Sequence, residues 1–227
     1  MSHELLDNIV WHSLSGPHAR FSAGTDVARR YASGFSPIIA FANAAQPEFS
    51  ALAPYCEPGE HFHCGGWSGP AQPGWQIHAD DSLHQLVWEA PIPEADDAFE
   101  AVPLGAEHVP QMLALVALTF PGPFAARTHE LGDYFGVFDE GRLVAMAGER
   151  MQAANLREVS GVCTHPDSQG QGYARRLMLK LIRRQLQRGL TPFLHVMRDN
   201  VHARGIYLRM GFRRRREMAV RVVSREQ

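Results

Sequence analysis

The chain has 227 residues, 45% hydrophobic and 20% charged, enough for one large domain or two modest ones with a packed core. No apolar run approaches the ~18 residues a membrane span needs, and Met1-Ser2-His3-Glu4 lacks the basic region and apolar core of a signal peptide. Three cysteines, Cys56, Cys64 and Cys163, are too few and too odd in number for a disulfide framework, so a cytoplasmic soluble protein without a membrane partner is expected. The net charge of −2 conceals an asymmetry: residues 1–141 hold 4 Arg against 18 acidic residues, a net of −14, and residues 142–227 hold 18 Lys or Arg against 6, a net of +12. Two readings follow, halves that dock electrostatically or a basic half that meets an anionic ligand. With no aromatic-plus-basic platform and no zinc-finger spacing, nucleic acid is not the expected ligand.

Along the chain, Leu5, Leu6, Ile9, Val10 and Leu14 have helical spacing. Ile38–Phe41 and Leu86–Trp88 read as short strands, and Gly65–Gly74 as a turn-rich hairpin or loop. The segment from Cys56 to Cys64 holds four potential metal ligands in a C-x4-H-x-H-C spacing that matches no common zinc site, so no metal is expected. Ala90–Asp97, rich in proline and acid, reads as an exposed linker. It divides the chain into an N-terminal α/β region, 1–95, and a more regular region, 96–227. There Phe99–Pro103 suggests a strand, Glu107–Leu118 a helix, Tyr134–Phe138 and Leu143–Glu149 strands joined at Asp139-Glu140-Gly141, and Leu156–Thr164 another strand. The clearest helix follows: Tyr173, Leu177, Met178, Leu181, Ile182 and Leu186 form one face, and Gly189 with Pro192 ends it. Phe193–Met197 reads as a strand, Val201–Met210 as a helix stopped by Gly211, and Met218–Val223 as a last strand, with Arg213–Arg216 as a solvated edge beside it. The order β-α-β-β-β-α-β-α-β predicts an α/β (α+β) fold, a mixed sheet flanked by helices.

The chemistry concentrates at Thr164-His165-Pro166-Asp167-Ser168-Gln169-Gly170-Gln171-Gly172-Tyr173-Ala174. A strand stops at a proline, and two glycines lead into a strong helix. Glycines there let the backbone approach a ligand and aim free N–H groups at it, an arrangement suited to phosphate. Arg175 and Arg176 fall in the first helical turn, where the macrodipole disfavours cations by ~0.3–1 kcal/mol each, a penalty a bound diphosphate would reverse. The Walker Gly-Lys-Ser/Thr is absent, and a dinucleotide fingerprint would need a third glycine where Arg175 stands.

Gln169-Gly170-Gln171-Gly172-Tyr173-Ala174 resembles the Arg/Gln-x-x-Gly-x-Gly/Ala signature of the GNAT superfamily of acyl-CoA-dependent N-acetyltransferases. Asn200-Val201-His202-Ala203-Arg204-Gly205-Ile206-Tyr207-Leu208-Arg209-Met210-Gly211-Phe212 resembles its Asn-x-x-Ala-x-x-x-Tyr-x-x-x-Gly-Phe segment. The similarity covers roughly 98–223 and is closest to a bacterial subgroup whose strand ends Val-Cys-Thr-His-Pro. It implies a GNAT-like fold in the C-terminal half, with the smaller N-terminal α/β region read as a degenerate half-copy of it.

It also implies roles. Val162, Cys163 and Thr164 would line the pantetheine arm of acetyl-CoA through backbone groups. Gln169, Gly170, Gln171, Gly172, Tyr173 and Ala174 would hold the diphosphate, with Arg175 beside them, and Asn200 would touch the arm. Tyr207 would stand near the thioester sulfur. Glu158 matches the place of a general-base glutamate, a role a carboxylate fills best when burial lifts its pKa towards ~7. A phenol of pKa ~10 is a weaker acid than a thiol of ~8.5, so Tyr207 is expected to hydrogen-bond the leaving sulfur. Cys163, inside an apolar strand, reads as a small hydrophobe and not a nucleophile. The expected reaction is direct acetyl transfer to a primary amine, small molecule or peptide, with Pro121–Thr128 forming part of the acceptor pocket. The alternative is a non-catalytic acyl-CoA sensor.

Overall fold

The computed structural model describes residues 3–227. Eleven strands form one continuous sheet: β1 (Ser22–Gly24), β2 (Ala28–Tyr31), β3 (Ile38–Phe41), β4 (His61–Gly65), β5 (Trp75–Trp88), β6 (Val102–Pro103), β7 (Tyr134–Asp139), β8 (Arg142–Ala153), β9 (Leu156–Thr164), β10 (Thr191–Met197) and β11 (Phe212–Arg225). Their spatial order is β1-β2-β3-β4-β11-β5-β10-β9-β8-β7-β6. Five α-helices pack on it: α1 (Ile9–Ser15), α2 (Phe49–Leu52), α3 (Val109–Thr119), α4 (Tyr173–Gln187) and α5 (Val201–Met210). Among the described residues no helix is long and apolar enough to cross a membrane.

All pairings are antiparallel except β3 with β4 and β9 with β10. The pairing pattern is therefore the same on both sides of the central β11–β5 pair, with one parallel pair on each, apart from the additional edge strand β6. The two sides interlock, because β4 pairs with β11 and β10 with β5. Segment 90–97 joins two parts of this one sheet. It crosses α4, where Asp96 binds Arg176 at 2.7 Å and the Pro93 carbonyl accepts from Arg183 at 2.7 Å.

Strand β9 and helix α4 match the sequence reading residue for residue at their N-terminal ends, because their patterns are strong and local. Two strands are much longer than expected. Trp75–Gln85 carries His78, Asp80, Asp81, Ser82 and His84, too polar to signal a strand, yet it forms the first part of β5. Its partner supplies what the sequence lacks: the β5–β11 ladder runs from Trp75↔Arg225 to Trp88↔Phe212, with Arg221 bound to Asp80 and Ser82 to Glu217. Arg213–Arg216 is likewise not an edge beside the last strand. It lies inside central strand β11, where Arg215 and Arg216 both bind Asp7.

These contacts account for part of the charge asymmetry. Asp7, Asp80, Asp96 and Asp133 of the acidic part each pair with arginines of the basic part. The apolar face of α4 (Leu177, Met178, Leu181, Ile182) is buried against Leu86, Val144, Val159, Leu194 and Phe212. At roughly 1.5–3 kcal/mol per large side chain, this core fixes the helix over one face of the sheet. Helix α1 covers the other face through Ile9 and Leu14, packed on Val87, Leu156 and Phe193.

Candidate active site

The site begins where two parallel strands part. Strands β9 and β10 pair only over Thr191↔Leu156, Pro192↔Arg157 and Phe193↔Glu158. Beyond Glu158, β10 keeps its partner β5 on one side, and β9 keeps β8 on the other, but the edges facing each other have no strand between them. A bulge helps turn β9 away: β8 advances two residues from Met146 to Gly148 while β9 spans three from Cys163 to Ser160. Gly161 sits there at φ 61°, a left-handed conformation that favours glycine, and the Tyr134 ring lies against it.

The opening between the strands is a cleft of about 780 Å³. Val162, Cys163 and Thr164 form one wall, and Asn200 and Tyr207 of the α5 segment another. Gln169, Gly170, Gly172, Tyr173, Ala174 and Arg175 line the end at α4; Gln171 of that set does not. Gly172 is the N-cap of α4 at φ 77°, and Gly170 stands at φ 79°. A Cβ on either would meet no protein atom within 4 Å, so their backbone is open to a ligand. The amides of the first helical turn precede the first intrahelical acceptor, and together with the dipole they form an anion site. The two first-turn arginines differ. Arg176 is held by Asp96 outside the cleft, whereas Arg175 lines it and makes no ion pair among the described residues.

One buried atom in the wall is an orphan: the Thr164 hydroxyl has no hydrogen-bond partner among the described residues. An unpaired β edge, an orphan hydroxyl and an open glycine-led helix N-terminus fit an extended amide-bearing chain ending in a diphosphate. Asn200 uses its Oδ1 to cap α5, accepting from Ala203 N at 3.1 Å, which leaves its amide N–H₂ for a ligand. The Tyr207 hydroxyl makes no hydrogen bond among the described residues, and burial pushes its pKa up to about 12. Burial also raises the Cys163 thiol to about 11, far from thiolate at neutral pH.

Glu158 has a different environment from the one its expected role needs. It is 1% exposed and lies beneath the cleft rather than on its wall. Oε2 accepts from Arg150 Nε at 2.9 Å and Met151 N at 3.3 Å; Oε1 accepts from Arg150 Nη2 at 3.0 Å and His195 Nδ1 at 2.8 Å. Four donors fill the carboxylate's acceptor sites. Burial would raise its pKa, but the Arg150 charge and the donors from His195 and Arg150 outweigh it and hold the carboxyl down to about 2. A carboxylate so bound is a poor proton acceptor, the reverse of the raised pKa a general base requires.

His195 is similarly engaged. Gln85 Oε1 accepts from Arg215, which can only donate, so Gln85 Nε2 is the donor to both the Leu6 carbonyl and His195 Nε2. The ring therefore carries its proton on Nδ1, towards Glu158. Arg150 and His195, both in the cleft wall, are site residues that sequence reading missed. Their only local signal is a charged Arg at the end of the apolar run Leu143–Gly148 and a His within Phe193–Met197. Of the expected acceptor loop, Pro121, Gly122 and Pro123 line the cleft with Phe120, while Phe124 packs against Tyr134 beneath it.

The acetyltransferase (GNAT) family model matches residues 82–212. Among solved structures, a GNAT-family protein from Novosphingobium aromaticivorans DSM 12444 is 37% identical over 98% of this chain and 99% of its own, with a TM-score of 0.89. A GCN5-related N-acetyltransferase from Kribbella flavida is 15% identical, covering 95% of this chain and 94% of its own, with a TM-score of 0.62. A GCN5-related N-acetyltransferase-like protein from Streptococcus suis 89/1591 is 14% identical over 96% and 92%, with a TM-score of 0.59. The last two share the fold alone. Comparison with curated proteins finds no match.

Proposed function

Because the chain belongs to the GNAT acetyltransferase family, we propose that it transfers an acetyl group from acetyl-CoA to a primary amine, small molecule or peptide, within a ternary complex in the β9–β10 cleft. The observation that carries this reading is the unpaired β9 edge running into the glycine-opened N-terminus of α4. Val162, Cys163 and Thr164 would hold the pantetheine arm as a pseudo-strand, with the Thr164 hydroxyl and the Asn200 amide as further partners. The backbone of Gln169–Ala174, including Gln171, would hold the diphosphate, with Arg175 adding charge.

Acetyl-CoA supplies a thioester carbonyl that the amine nitrogen attacks, forming C–N as C–S breaks and the thiolate leaves. Tyr207 donates a hydrogen bond to the departing sulfur. At a pKa of about 12 it keeps its proton, since full transfer to a thiolate of pKa ~8.5 would cost about 5 kcal/mol. We revise the role of Glu158 from general base to positioning residue: it fixes Arg150 and His195 in the cleft wall. The amine then reacts as its free base, having lost one proton to solvent; the nitrogen releases a second proton to solvent as the C–N bond forms, and the departing thiolate takes one up from solvent.

The saturated Glu158 also favours a second reading, an acyl-CoA-binding sensor without turnover. Thiol release from acetyl-CoA across a broad amine panel separates the two. Amine-dependent release supports the transferase; tight acetyl-CoA binding with no release for any amine would leave the sensor. Residues 1–95 are read as a degenerate second copy of the fold, a proposal supported by the parallel β3–β4 pair opposite β9–β10.

A further inference from the structure

The cleft's charge pattern bears on which amines it can accept. Among the described residues, none that lines it is Asp or Glu; its charged or ionisable lining includes Arg150, Arg175, Arg209, His195 and His202. A polycationic acceptor would enter without a counter-ion and against like charge.

Arg150 stands apart from the other cations. It reaches from β8 to Glu158, at the last β9–β10 rung, and so occupies the point where the strands begin to part. Its side chain is 10% exposed. A guanidinium has five N–H donors. Two hold Glu158 and one makes a long contact of 3.4 Å with the Pro123 carbonyl. The remainder have no protein partner among the described residues. Glu158 thus locks the plane of the guanidinium while its far edge keeps donor capacity in the cleft, a geometry suited to a carboxylate.

Large apolar side chains share this lining. Phe120, the C-cap of α3 at φ 48° ahead of Pro121-Gly122-Pro123, is 83% exposed, and Met197 on β10, in the same lining, is 41% exposed. A non-glycine residue in the left-handed region is costly and tends to mark functional positions.

We propose that the acceptor is a small amine bearing both a carboxylate and an apolar side chain, with the carboxylate on the open edge of Arg150 and the side chain against Phe120 and Met197. This rests on the transferase reading above. An acceptor lacking the carboxylate leaves the Arg150 donors unpaired, and sites built around such donors discriminate strongly against analogues that cannot use them.

The test compares matched acceptors on the unaltered protein: phenylalanine, phenylalaninamide, phenethylamine and spermine, with thiol release and product mass as readouts. Phenylalanine should exceed the amide and the decarboxylated amine by about ten- to a hundredfold in kcat/KM, and spermine should be inactive. Arg150→Lys, which keeps a cation for Glu158, should raise the KM for phenylalanine by about tenfold or more and collapse the preference, with acetyl-CoA affinity retained. If phenylalaninamide, phenethylamine or spermine reacts as well as phenylalanine, the carboxylate proposal is wrong and the transferase reading stands. If no amine reacts while acetyl-CoA binds, both are wrong.

Discussion

Replacing Glu158 by Gln separates a positioning role from a catalytic one. The carboxylate balances a buried guanidinium and accepts four hydrogen bonds. Gln removes the charge and turns an N–H₂ towards groups that can only donate. Removing one partner of a buried pair typically costs about 3–5 kcal/mol, because the other charge is left uncompensated. Linkage gives an independent figure. The folded pKa of about 2 lies below the ordinary 4.5, so ionised Glu158 contributes about 3 kcal/mol. That stability is fully present above pH ~4.5 and is lost as pH falls through ~2. Urea unfolding followed by circular dichroism at pH 7 should show Glu158→Gln destabilised by about 3–5 kcal/mol. Between pH 5 and 3 the unaltered protein should lose stability more steeply than the variant. A variant destabilised by less than ~1 kcal/mol, yet slowed by ~10³-fold or more in turnover, would refute this reasoning and restore Glu158 as the base.

Other outcomes follow from the same geometry. Thr164→Val should leave the free protein as stable or slightly more so, since the hydroxyl is buried without a partner, while acetyl-CoA affinity measured calorimetrically falls several-fold; unchanged affinity would show that the hydroxyl does not face the arm. Gly172→Val should cost about 1–2 kcal/mol through its φ of 77° and abolish detectable acetyl-CoA binding, because the new side chain meets open space until the ligand arrives. Tyr207→Phe should lower kcat by about tenfold or more with acetyl-CoA affinity unchanged; an unchanged kcat would remove the hydroxyl from the leaving-group site. The pH profile of kcat/KM should follow the pKa of the acceptor amine itself, and a steep limb that stays fixed while acceptors of different pKa are exchanged would point to a base on the protein.

Much of the cleft lining was legible in the sequence because its signals are local. Two glycines before an amphipathic helix, and a tyrosine and an asparagine on one short helix, lie within a few residues of one another. What stayed hidden depends on cross-strand contacts. Arg150 and Glu158 meet only through the β8–β9 ladder, and His195 meets Gln85 across β10 and β5, 110 positions apart. Resemblance to the family suggested a base at Glu158; its four donors, which support reading it as a bound anion, come from residues the sequence does not place beside it. The first part of β5 was hidden for the same reason, since a strand of Asp, His and Ser is held by a partner 130 or more positions away.

A crystal structure of the protein with bound CoA tests the central claim most directly. The diphosphate should lie on the backbone amides between Gly170 and Ala174, with the pantetheine arm along Val162–Thr164 and its sulfur beside Tyr207. CoA bound elsewhere, or a cleft that stays closed to it at saturating concentration, would contradict the account.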